Sequence, residues 1–339
     1  MAVWSKKYGC ENSIEIDFTM KNKKLIYITG FGRSGSTLLD RLLGQVQGVF
    51  SGGEISPVWV VGMVDNDPCG CGKSFHECDI WKKVVKQVRA EHGEFDARKE
   101  FLFQLSVYKR RTFLKWLLPW KTRAFKKKLA HAQKYIQTLY DAIYDASGAS
   151  VIVDSSKHPI YPILLSRLSG IDLTIVHIVR DSRAVAYSWT RKKKKIDSKL
   201  KIQYLSRHNP LKSAINWLSY NILCESLKFI LNKKVNYKLV KYENLAKNPR
   251  NEIEQILKIS QIYDYSLDFI KDGRVNLNVN HTITGNPMRF QQGAIPLVLD
   301  DEWKAQMTLL SKFAVTLPTI PLLIHYYYPI KSIYKKHID

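Results

Sequence analysis

Acidic residues are scarce in this chain: 30 Asp and Glu stand against 53 Lys and Arg, a formal charge of +23 over 339 residues. Such an excess points to a polyanion, an anionic membrane or an acidic substrate, although solvated runs such as Arg191 to Lys195 and Lys126 to Lys128 account for it equally well. Cysteine is also sparse, and three of the five lie within residues 69–78. That clustering argues against a secreted disulfide framework. Long apolar runs are missing at both ends. Residues 1–20 mix charged and apolar side chains without a secretory h-region, so the expected location is cytoplasmic. Residues 313–330 are apolar but carry Pro318, Pro321, Pro329 and His325, too broken for a spanning helix of about 20 residues. A buried C-terminal segment is expected there, with peripheral membrane contact as the alternative.

A further absence concerns a single side chain. Gly30-Phe31-Gly32-Arg33-Ser34-Gly35-Ser36-Thr37 follows an apolar run and fits the phosphate-loop pattern G-x-x-x-x-G-K-[ST] except at the lysine, which is Ser36. Backbone N–H groups of such a loop, with the helix N-terminus behind them, bind anions of many kinds. The missing lysine is the group that reaches the β- and γ-phosphates of a triphosphate. The loop keeps its anion cradle, places Arg33 inside it, and suits a shorter phosphate-bearing ligand than ATP.

Short apolar runs at 25–29, 151–153, 173–179 and 237–240 read as buried strands. Helical periodicity occupies 36–46, 81–91, 123–146, 160–168, 182–192, 211–231, 249–259 and 300–312. This alternation predicts an α/β, P-loop-like three-layer fold with a central parallel sheet flanked by helices. One domain is expected over residues 1–339, with a core of about 24–312, an insertion of about 55–125 and a C-terminal apolar segment at 313–339. In such sheets ligands lie beyond the carboxyl ends of the strands. Three strands here end in capable residues: Gly30 leading to Arg33, Asp154 to Lys157, and Arg180 to Arg183. Arg180 and Ser188, eight residues apart across a strand end and a helix start, can form a second anion site beside the loop.

GFGRSGSTLLDRLL resembles the 5′-phosphosulfate loop of sulfotransferases that use 3′-phosphoadenosine 5′-phosphosulfate, and IVRDSRAVAYSW resembles their 3′-phosphate segment. Val240 to Leu245, Gly285 to Phe290 and Asp300 to Trp303 are weaker echoes later in the chain. The missing glycine-rich RKG loop, replaced by GNPMRF and Gly293, places the resemblance nearer the carbohydrate and tyrosylprotein branch than the cytosolic small-molecule branch. The resemblance implies transfer of a sulfuryl group from that co-substrate to an acceptor hydroxyl by in-line displacement, with no metal required. The acceptor implied is a saccharide, a lipid-linked alcohol or a related hydroxyl compound; nucleic acid is not expected.

Site residues follow from the same comparison. Arg33, Ser34, Gly35, Ser36 and Thr37 would hold the 5′ end of the donor, and Arg180 and Ser188 the 3′-phosphate, with Arg289 as a late contact. Glu54, between glycines and a following turn, is the preferred catalytic base, with His158 second. Lys157 would stabilise the departing phosphate, and Arg33 the transferring oxygens. Trp303 is a candidate for packing on adenine. Cys69, Cys71, His76 and Cys78 could supply four zinc ligands, but C-x-C-x4-H-x-C matches no common zinc module, so free thiols or a local disulfide pinning a glycine-rich loop is the preferred reading. Two other functional readings remain open: a kinase or NTPase with a degenerate loop and Asp154 as metal ligand, and a noncatalytic polyanion-binding protein.

Overall fold

A computed structural model describes residues 23–118, 121–191, 194–196, 202–204 and 208–330. Five parallel strands form the central sheet: β1 (Lys23–Thr29), β2 (Val49–Ser51), β3 (Val151–Lys157), β4 (Ile171–Val179) and β5 (Asn236–Lys241). Their spatial order is β2-β3-β1-β4-β5, with β1 in the middle paired to β3 and β4. Both faces are covered by helices, which is why β1, β3 and β4 read as nearly continuous apolar runs. Because β1 is the strand from which the chain departs to both sides, the crevice beyond its carboxyl end is where loops diverge and a ligand fits.

One face is closed by α1 (Ser36–Leu43), whose Leu38, Leu39, Leu42 and Leu43 are buried against β1 and β3 residues. On the other face lies α3 (Arg123–Ser147), which starts at a Thr122 cap and stops at the left-handed Gly148. The long insertion before it contributes α2 (Asp79–His92), packed on α3. Beyond β4, α4 (Ser182–Thr190) and α5 (Pro210–Leu231) follow, and α6 (Leu309–His325) lies against both.

The structure differs from the sequence-based expectation most clearly in two places. Helix 300–312 is instead a single turn, Trp303–Gln306, followed by α6, which runs through Pro318 and Pro321. Packing explains the tolerance: Val315, Thr319 and Leu323 form a buried face, and the Thr319 hydroxyl donates to the carbonyls of Val315 (2.7 Å) and Thr316 (3.2 Å). Among the described residues no helix is long and apolar enough to cross a membrane. A three-stranded antiparallel sheet, Ile270–Lys271, Arg274–Leu277 and Gly293–Pro296, was not expected. Its strands have two to four residues, too short for a periodic signal.

Candidate active site

The loop after β1 is built by backbone conformations its residues must be able to adopt. Gly35, the α1 N-cap, has φ of +92°, and a Cβ there would lie 2.5 Å from the Tyr242 ring, so no larger residue fits. Arg33 also takes a left-handed φ of +72°, and its guanidinium stacks 4.9 Å from the centroid of Trp189. Burial lowers the Arg33 pKa, and the Glu54 charge opposes that shift.

A cavity of about 510 Å3 opens at this point, floored by Gly32 to Thr37 apart from Ser34. Ser34 is buried under the loop, and its Oγ has no hydrogen-bond partner. Arg180 and Ser188 form a second wall. The Arg180 guanidinium lies 4.4 Å from the Tyr242 ring centroid; Nη2 donates to the Asp300 carbonyl (2.6 Å) and pairs with its carboxylate (3.2 Å). Nη1 donates to the Arg33 carbonyl at 3.3 Å, which ties the loop after β1 to the segment after β4, while Nε is buried without a partner. Asp181 caps α4 by accepting from Arg183 N (2.9 Å), and its own N–H donates to Glu243 (3.1 Å), so Arg180 leaves the sheet on a fixed path.

Glu54 and Lys157 complete the cavity as an ion pair, with side chains 26% and 18% exposed. Their placement depends on Asp154. One Asp154 oxygen accepts from the N–H groups of Ser156 (2.8 Å) and Ile55 (3.2 Å) and from the Ser156 hydroxyl; the other accepts from Tyr140 (2.5 Å). Burial raises the Asp154 pKa to about 6 against these donors. The carboxylate that a Walker-B-like reading requires thus pins the turn carrying Glu54 to the end of β3, and it is not part of the cavity lining.

The structure therefore brings Arg33, Gly35, Ser36, Thr37, Glu54, Lys157, Arg180 and Ser188 into one cavity. Others are elsewhere. Arg289 is buried, and its guanidinium donates to the carbonyls of Thr282 and Pro68, so its donors are spent inside the fold and it is not part of the cavity lining. Trp303 is buried beneath Arg183, 4.7 Å from its ring centroid, so it does not face the cavity. His158 packs beside Tyr108, and burial lowers its pKa to about 4. His76 is exposed and stands apart from Cys69, Cys71 and Cys78. Lys192 and Lys193 lie outside the described residues.

Residues to which the sequence assigned no site role also line the cavity: Trp189, Thr284, and Tyr242, Gly285, Asn286, Met288 and Asp300, which lie in the weaker echoes at 240–245, 285–290 and 300–303. Trp189 stood in the quoted motif, one residue after Ser188, and an aromatic at that position was the available signal. The later segment is held by Arg41 of α1, fully buried, whose guanidinium donates to the carbonyls of Arg289 (2.5 Å), Asn278 (2.8 Å) and Gln291 (3.0 Å).

The profile of the sulfotransferase domain family matches residues 23–294, which include the loop after β1, the Arg180–Ser188 segment and the Glu54–Lys157 pair. The chain belongs to the sulfotransferase domain family. Sulfuryl transfer is accordingly the reaction class of this sulfotransferase. Among solved structures it is similar to the sulfotransferase domain of the Synechococcus PCC 7002 olefin synthase, with 18% identity, 91% of this chain and 95% of that one covered, and a TM-score of 0.49. It is also similar to a sulfotransferase domain from the curacin biosynthetic pathway, with 16% identity, 90% and 97% coverage, and a TM-score of 0.48. No curated protein sequence matches the chain.

Proposed function

We propose that this sulfotransferase takes its sulfuryl group from 3′-phosphoadenosine 5′-phosphosulfate and delivers it to an acceptor hydroxyl, of a saccharide or a lipid-linked alcohol, with Glu54 as base. The observation that carries the reading is the presence of two anion-binding segments in one cavity, joined through the hydrogen bond from Arg180 to the Arg33 carbonyl. A donor with a 3′-phosphate and a 5′-phosphosulfate needs two such segments. The buried, unpartnered Nε of Arg180, which lines the cavity, supports the fit, since it is a donor without an acceptor.

In this reading the loop N–H groups and Arg33 bind the phosphosulfate, and Arg180 with Ser188 binds the 3′-phosphate. The acceptor oxygen attacks sulfur in line with the bridging phosphate oxygen. The new S–O bond forms as the old one breaks, the hydroxyl proton passes to Glu54, and the electron pair leaves on the 5′-phosphate of adenosine 3′,5′-bisphosphate. Lys157, paired with Glu54 without donor, would turn its ammonium to that phosphate, leaving the carboxylate free for the proton.

Mass-spectrometric assay of sulfuryl transfer to a panel of sugar and lipid alcohols tests this directly. Glu54→Gln should lower kcat by about 100-fold or more while leaving the donor dissociation constant within about threefold, the size of effect expected for losing a general base. Parent-like turnover by Glu54→Gln would remove Glu54 from the mechanism.

A further inference from the structure

Cys69, Cys71, Cys78 and His281 converge, with one ligand atom of each lying within 4.8 Å of all the others. Three come from the insertion, and the fourth arrives from 203 residues later than Cys78. The His281 Nδ1 is 3.2 Å from the Cys78 sulfur and 3.9 Å from the Cys69 sulfur. Tetrahedral zinc, with bonds of about 2.3 Å to sulfur and about 2.0 Å to nitrogen, separates its ligand atoms by roughly 3.5–3.8 Å. We propose that these four residues form a structural zinc site that staples the insertion to the segment walling the donor cavity.

The local backbone is shaped for this. Residues 68–74 form a tight knuckle: Pro68 bridges to Ser74, Cys69 N–H donates to the Lys73 carbonyl (2.8 Å), and Gly72 N–H donates to the Cys69 carbonyl (2.9 Å). Gly70 lets the knuckle press on the later segment, since a Cβ there would sit 2.0 Å from Asn280 Oδ1. Its N–H donates to the Thr282 carbonyl at 2.8 Å. Cys78 is the residue capping α2, where the helix N-terminus favours a thiolate. His281 is oriented by its own carbonyl, which accepts from Trp81 Nε1 at 2.7 Å, and by stacking on Phe50 at 14° between planes.

Four protein ligands leave no open position, so the metal is structural and not catalytic. A local disulfide would join two of the sulfurs and leave the third, with the imidazole, without purpose; zinc uses all four. The surrounding contacts give the staple a consequence. Ile283 N–H donates to the Gly52 carbonyl at 3.2 Å, beside the turn that carries Glu54, and Thr284 to Asn286 line the cavity. Arg289 grips Pro68 and Thr282, one carbonyl from each stapled segment. Its positive charge also lies near Cys69, where a zinc with three thiolates and a neutral imidazole carries a net negative charge.

The test is metal analysis of the full chain purified without chelator, alongside thermal unfolding before and after chelation. The expected result is about one zinc per chain, a lower Tm when it is removed, and recovery on adding zinc. Cys78→Ser and His281→Ala should lose the metal, while His76→Ala, altering the exposed histidine of the same loop, should keep it. If the cysteine variants fail to fold, cobalt substitution in the parent protein decides: the intense thiolate bands of a tetrahedral site support the proposal. A chain that takes up neither zinc nor cobalt when reduced overturns it, as does a Cys69–Cys78 disulfide in freshly purified protein or retention of zinc by His281→Ala. None of these readouts depends on the identity of the sulfuryl donor.

Discussion

Ser36, Arg180 and Ser188 were legible as cavity residues because their patterns are local: a loop pattern missing one lysine, and an arginine and serine eight residues apart. Glu54 and Lys157 were legible for the same reason, each standing at the end of a short apolar run. His281 was not, since its partners lie about 200 residues away and only the folded chain joins them. His76 stood at a better sequence spacing and points outward. Asp40 shows a second kind of invisible residue. It is buried in α1, accepts from the Ser51 hydroxyl at 2.5 Å, and burial raises its pKa to about 7. Below about pH 4 the carboxyl is protonated folded and unfolded alike, and the residue adds no pH dependence. As pH rises toward 7 only the unfolded chain ionises, so stability falls; above 7 both states are ionised and the loss is constant. Asp40→Asn, which still accepts from Ser51, should flatten this decline, giving a Tm that changes less than the parent's between pH 4 and 7. Parallel Tm profiles for the two proteins would show that Asp40 ionises normally.

The elements that build the sheet were readable because its central strands β1, β3 and β4 are buried along nearly their whole length, and α3 has one apolar face. The elements that close the site were not, because they are short or held by tertiary contacts. The segment from Asn278 to Gln291 is the clearest case: its backbone carbonyls are gathered by the buried guanidinium of Arg41. Arg41→Ala would leave the carbonyls of Asn278 and Gln291 without a donor, at about 1–3 kcal/mol each, while the Arg289 carbonyl keeps the Asn280 amide. The expected outcome is a fall in unfolding free energy of several kcal/mol and faster proteolytic cleavage within 278–291, read by urea denaturation and timed digestion. A loss below about 0.5 kcal/mol, the size of an ordinary surface change, would mean that Arg41 does not clamp the segment. α6 teaches a complementary lesson: its prolines argued against a membrane-spanning helix, and the segment is a helix that runs through Pro318 and Pro321 with a buried face packed on α5.

At the scale of the molecule, the parallel sheet places β1 at the point where connections diverge, and the loop of Arg33 and the segment of Arg180 and Ser188 follow β1 and β4, its immediate neighbour. In the proposed function that adjacency is what lets a single donor reach both. The +23 charge adds a long-range attraction for an anionic donor that salt screens within about 10 Å at 0.1 M ionic strength, so donor association should slow as salt is raised. Calorimetric titration of the full chain with adenosine 3′,5′-bisphosphate, set beside ATP with magnesium, tests the central claim most directly. The account predicts one binding site for the bisphosphate, at least tenfold tighter than for ATP with magnesium, and loss of that preference in Arg180→Ala. Tighter binding of ATP with magnesium, or an Arg180→Ala variant that binds the bisphosphate as well as the parent, would contradict it.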